Sequence, residues 1–98
     1  MRSVQVRNAK GDVLRRLAAD PKFDPVLFGV DLHVYPLLAS IDPYGDTVFN
    51  YLQVRRLLNE LATYRPTQPP SEEFLGDLRE LCDVALSGPH RFLWFIGD

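Results

Sequence analysis

The first alternation of apolar and polar residues surrounds a turn near the start of the chain. In "SVQVRNAKGDVLRRL", Val4 and Val6 alternate with polar residues, and residues 8–11 have the composition of a type I turn followed by a glycine. This pattern predicts a β-hairpin with a bulge at Gly11, where glycine can take a positive φ. A competing interpretation begins a helix at Asp12, because the apolar residues that follow also suit one helical face.

The same arrangement recurs in "LLASIDPYGDTVFN", where an apolar run leads into a turn and a second β-prone run follows. Asp42 at the first turn position can bond the backbone two residues on, Pro43 presets φ, and Gly45 tolerates the left-handed conformation. The segment therefore predicts a second hairpin.

Two helices are predicted after this turn. Asn50 and Gln53 have the spacing of a capping box, so Asn50 is the predicted N-cap of the first helix, which ends near residues 65–66. Ser71 is the predicted cap of the second helix, which stops at residues 88–89. The first helix has the predicted buried stripe Val54, Leu57, Leu58, Leu61 and Tyr64, with Arg55, Arg56, Asn59 and Glu60 turned outward. The second has the stripe Phe74, Leu78, Leu81, Cys82 and Ala85.

The final stretch, "HRFLWFIGD", is apolar on both faces, which is typical of a strand in the middle of a sheet, and Trp94 is predicted to lie in the core. The elements together predict an α+β, two-layer sandwich. Its mostly antiparallel sheet has four to five strands, formed by two hairpins and the C-terminal central strand, and is covered by two helices.

The composition is that of a single globular domain spanning residues 1–98: 46% of the residues are hydrophobic and 24% are charged. No signal peptide or membrane span is predicted, so we expect a cytoplasmic protein without membrane partners. The net charge is −2, but residues 1–17 hold five basic residues against one acidic residue, a net charge of +4. An acidic chain without a basic groove argues against nucleic acid as a partner.

Motifs for cofactor, phosphate or metal binding are not found in the sequence, so no cofactor and no metal site is predicted. His33, His90 and Cys82 lack the paired spacing of metal ligands. Cys82 falls on the predicted buried stripe of the second helix, where a thiol behaves as a small hydrophobic residue.

The long connection "AADPKFDPVLFGVDLHVYP", residues 18–36, holds many large apolar residues without a helical or strand period. They either pack under the second face of the sheet or form an exposed binding surface. On the second interpretation Phe28 is the anchor, because aromatic residues dominate binding hot spots, and Leu27, Val30 and Asp31 complete the partner-binding surface. Acidic residues around it favour a basic partner.

Asp42, Tyr44 and Asp46 form a second candidate site, a ligand-contacting rim at the turn. Asp46 draws notice because the turn is already complete at Gly45. With His33 these residues suggest an alternative function, a small-ligand-binding or hydrolytic enzyme; the competing interpretation is a polar turn in water.

The strings "DPYGDTVFN" and "FIGD" resemble a family of short bacterial proteins without an assigned activity. The resemblance implies a bacterial cytosolic setting and no catalytic residues. Because the chain combines a compact scaffold, an apolar connection and uneven charge with no catalytic motif, we expect a non-catalytic protein-interaction module of the accessory, inhibitor or immunity type. Homo-oligomerisation is a further expectation if an edge strand of either hairpin stays open.

Overall fold

The computed structural model describes residues 2–18, 30–64 and 72–97. Its elements are β1 (Ser3–Asn8), β2 (Val13–Ala18), α1 (Pro36–Ala39), β3 (Thr47–Phe49), α2 (Tyr51–Thr63), α3 (Glu72–Leu86) and β4 (Arg91–Ile96). The strands form one antiparallel sheet in the order β2-β1-β4-β3, and the helices pack on it. The predicted α+β two-layer fold and its central C-terminal strand are thereby confirmed.

The first hairpin is confirmed, and the competing helix from Asp12 is wrong. Gly11 has a φ of +88°, and the Asn8 side chain accepts hydrogen bonds from the backbone N–H groups of Lys10 and Asp12, both at 3.0 Å. The predicted bulge at Gly11 is confirmed as well, because the Asn8 carbonyl accepts the N–H of Gly11 while the N–H of Asn8 donates to the Asp12 carbonyl, as in a G1 bulge. A second irregularity lies within β2, where the pairing with β1 passes over Leu14.

The second hairpin is wrong, because the segment before the turn is the short helix α1 and only β3 follows as a strand. Pro36 occupies the start of α1, where its fixed φ suits a helix and its missing N–H is not needed. The Glu60 carboxylate of α2 accepts the N–H groups of Leu37 and Leu38, each at 3.1 Å to Oε1. Glu60, predicted to face outward, therefore caps α1 from another part of the chain.

Both long helices agree with their predicted patterns. The Asn50 side chain accepts the N–H of Gln53, and the Gln53 side chain accepts the N–H of Asn50, which is a complete capping box. All members of the two predicted stripes are buried except Leu58, which is half-buried, and α3 also buries Leu75. The Ser71 cap lies outside the described residues. No helix in the described ranges is long and apolar enough to cross a membrane.

The core lies between the helices and one face of the sheet. Strand β4 contributes Leu93 and Phe95 to this core, and both side chains are fully buried. The Phe95 ring packs edge-on against Phe49, with 5.7 Å between the ring centroids. Side chains alternate along a strand, so Trp94 lies on the opposite face. It is half-buried there, with the Arg7 guanidinium 4.4 Å above its ring. The prediction that Trp94 belongs to the core is therefore wrong.

Candidate functional site

The first two residues of the candidate rim shape the turn before β3. The Asp42 carboxylate accepts the N–H of Tyr44 at 2.9 Å, and the N–H of Asp42 donates to the Thr47 hydroxyl at 3.0 Å. The first bond is the predicted side-chain contact of an Asp at the start of a turn. The Tyr44 side chain, 74% exposed, points into solvent. Asp42 thus has a structural role, while Tyr44 lies free at the surface.

Asp46 has a structural partner that the sequence did not indicate. Its carboxylate accepts the N–H of Gly97, immediately after β4, at 3.1 Å. The two segments approach so closely that a Cβ atom built on Gly97 would overlap the backbone of Gly45. The turn and the end of β4, which carry the two strings singled out above, are therefore joined directly. This contact accounts for an aspartate and a glycine at these positions.

The geometry of the rim offers two exposed carboxylates, each with one oxygen bonded to a backbone N–H. His33 lies in a separate turn before α1, where its backbone N–H donates to the Asp31 carboxylate at 2.8 Å. One oxygen of each of the carboxylates of Asp31, Asp42 and Asp46 thus accepts a backbone N–H. Ligand binding by Asp42, Tyr44 and Asp46 stays a prediction.

The candidate partner surface of the long connection is described only in its last residues. Leu27 and Phe28 lie outside the described residues, so their role stays a prediction. Val30 is half-buried and packs against the core cluster. Asp31 is exposed, and its carbonyl oxygen accepts the N–H of Tyr35 at 2.7 Å. Both described members therefore have a structural role in the approach to α1.

Cys82 is fully buried in α3, as predicted. Burial raises the pKa of its thiol to about 12, with a further contribution from the neighbouring charge of Asp83. The thiol is thus protonated at neutral pH and a poor nucleophile. Within the three described ranges, no group of three or more histidine, cysteine, aspartate or glutamate side chains is placed to hold a metal ion.

Strand β2 presents a surface that motif reasoning missed. It ends the sheet, and no strand of the described chain pairs with its outer side. Val13 and Leu14 are 50% and 43% exposed, and Arg15 and Arg16 are exposed as well. We call residues 13–18 the β2 edge. The signal for it in the sequence was the +4 charge of the first 17 residues, together with the expectation of an open hairpin edge.

A second pair of exposed arginines lies on the outer face of α2. Arg55 and Arg56 line a shallow hollow of about 220 Å³ with Leu52 and Asn59, all on one stripe of the helix. Helix α2 makes no contact with β2. The chain thus offers two separate arginine pairs, one on a strand edge and one on a helix.

Comparison with protein-family models, with curated proteins and with solved structures finds no significant match for this chain.

Proposed function

We propose that this chain is a non-catalytic protein-interaction module of the accessory, inhibitor or immunity type. The observation that supports the proposal is the β2 edge, a six-residue strand with no described strand on its outer side, two exposed apolar side chains and two exposed arginines. Edge strands of this kind can pair with another chain unless they are blocked. We therefore propose the β2 edge as the partner surface.

The polar side chains of the candidate rim give this proposal indirect support. Asp42 and Asp46 each direct an oxygen to a backbone N–H, as ordinary turn residues do. An enzyme site needs polar groups that converge on a substrate in a concave pocket. The bonding of these two carboxylates is explained by the fold and does not require a substrate.

The proposed setting is the cytoplasm of a bacterium, as the family resemblance implies. A single buried cysteine agrees with a reducing compartment. The long connection stays a second candidate surface, with Phe28 as its anchor and a basic partner, since Asp20, Asp24 and Asp31 flank Phe28 in the sequence.

The test is affinity capture from a lysate of the organism that encodes the chain, followed by reconstitution of the complex from purified proteins and calorimetric titration. We expect a stoichiometric complex with one protein. Phe28→Ala tests the long connection in the same assay, with its melting temperature measured in parallel. Failure to reconstitute any complex, together with saturable binding of a small molecule that Tyr44→Ala abolishes, would instead support the ligand-binding alternative.

A further inference from the structure

The β2 edge has a regular backbone along most of its length. Four consecutive pairs join it to β1, from Ser3 with Ala18 to Val6 with Arg15, and the irregularity at Leu14 comes only at the turn end. Its inner side is therefore a normal antiparallel ladder over residues 15–18. A strand that is regular on one side also presents its remaining N–H and C=O groups in register on the other. The outer side is thus a template for one more strand.

The charges of this edge select the kind of strand that can be added. Arg15 pairs with Val6, whose side chain faces the helices, and Arg16 pairs with Gln5 on the opposite face. One guanidinium group thus lies on each face, and β2 itself holds no carboxylate. Opposite charges on directly paired residues stabilise a sheet, whereas like charges destabilise it. An added strand with acidic residues on both faces is therefore favoured.

A second copy of the chain matches this edge poorly. Directly opposed residues of an antiparallel pair lie on the same face, so two β2 strands paired about a twofold axis at their centre would place Arg15 opposite Arg15 or Arg16 opposite Arg16. The other strands of a second copy cannot supply negative charge to this edge either, because β1, β3 and β4 contain no acidic residue. The arginines thus oppose self-pairing of the edge, a protection that natural edge strands use.

From these observations we infer that the β2 edge binds an extended acidic segment of the partner protein, which adds to the sheet as a fifth strand beside β2. The inference rests on the proposed function and specifies the partner's chemistry at that surface. Backbone hydrogen bonds supply the pairing, and the two arginines select acidic residues.

The direct test uses a capped synthetic peptide of the sequence Thr-Val-Glu-Glu-Val-Thr, whose adjacent glutamates lie on opposite faces of a strand. We expect it to shift the NMR signals of the β2 backbone amides and slow their hydrogen exchange, while the amides of β3 stay unchanged. A peptide with lysine in place of both glutamates should not bind. N-methylation of every residue of the glutamate peptide should abolish binding, because it removes the N–H donors from both edges of the strand.

Matched charge reversals test the role of the arginines. The double substitution Arg15→Glu with Arg16→Glu should weaken peptide binding by about tenfold, since it replaces two attractive exposed pairs with repulsive ones. The control, Arg55→Glu with Arg56→Glu, makes the same change on α2 and should leave binding unchanged. Melting temperatures of both variants confirm that they fold.

Three results would overturn the inference: equal binding of the lysine peptide, equal binding of the N-methylated peptide, or protected amides outside β2. A dimer in sedimentation whose β2 amides stay protected, and whose signals the glutamate peptide does not change, would also overturn it, in favour of a second copy. Capture of a natural partner that the Arg15 and Arg16 reversal does not weaken would refute the acidic strand while leaving the proposed function intact.

Discussion

The turns at residues 8–11 and 42–45 share their local chemistry but connect different structures. Each begins with an Asn or Asp whose side chain accepts a backbone N–H two residues on, at 3.0 Å for Asn8 and 2.9 Å for Asp42. The first turn joins two paired strands, whereas the second joins a helix to a strand. Turn residues therefore determine that the chain reverses locally, but they do not determine whether strands or helices flank the turn.

Distant partners account for the difference. The segment before the second turn is the helix α1, whose first N–H groups donate to the Glu60 carboxylate. The segment after the turn is held by the bond from the N–H of Gly97 to the Asp46 carboxylate. Among the described residues, the side-chain and turn bonds of the first turn lie within residues 8–12. We therefore expect substitutions at long-range contacts of the second turn to cost more than those at the first.

The largest effect is expected for Gly97→Ala. The added Cβ would overlap the backbone of Gly45, which cannot move aside as a flexible side chain can. Such overpacking costs about 3 kcal/mol of unfolding free energy, measured by urea denaturation. The control is Gly76→Ala, a helical position with open space around the new atom, which should gain about 0.5–1 kcal/mol. Equal stability of Gly97→Ala and the wild type would refute the close contact.

Glu60→Ala should have the second-largest effect. It removes a charged acceptor from two partly buried N–H groups at the start of α1, a loss of about 2 kcal/mol. Glu60→Gln keeps an acceptor oxygen and should lose less. If the two variants are equally stable by thermal melting, the carboxylate does not cap α1.

Gly11→Ala tests the first turn. The φ of +88° strains any residue with a Cβ, although no atom lies within 4 Å of the new group, so the cost is one of backbone conformation alone. We expect a loss of about 1–2 kcal/mol in urea denaturation. Gly11→Asn should recover part of this loss, because asparagine tolerates positive φ better than alanine. A loss exceeding that of Gly97→Ala would reverse the comparison of the two turns.

Asn50→Ala gives the smallest effect and calibrates a purely local cap. It removes the acceptor for the N–H of Gln53, at a cost of about 1 kcal/mol without a change of fold. Differential scanning calorimetry measures the loss. Unchanged stability combined with lost partner binding would assign Asn50 to a binding site.

The sequence predicted the elements whose signals are local. The capping box at Asn50, the stripes of α2 and α3 and the first turn each depend on neighbouring residues, and all are found in the structure. Prediction from the sequence failed where a residue far along the chain determines the local structure. The bond between Glu60 and α1 joins residues more than 20 positions apart. The local sequence at α1 shows only an apolar run before a turn, which also suits a strand.

Trp94 and Asp46 show two further limits. Strand β4 is apolar on both faces, so alternation could not tell which set, Leu93 and Phe95 or the residues beside them, would meet the helices. Asp46 stood out as unexplained because its partner Gly97 is far along the chain. The β2 edge was partly predictable, since the charge of the hairpin is visible in the sequence, whereas its place at the end of the sheet depends on tertiary pairing.

The central position of β4 has a kinetic consequence. Its ladder with β1 joins Ser3 to Ile96, so the middle of the sheet closes a loop of about 90 residues, at an entropic cost of about 4 kcal/mol. The β1-β2 hairpin closes over only a few residues and can form early. We therefore expect docking of β4 to limit the folding rate, as in other domains of high contact order. Until β4 docks, the edge of β1 that faces it is unpaired. We therefore expect the folding chain to be most prone to aggregation at β1.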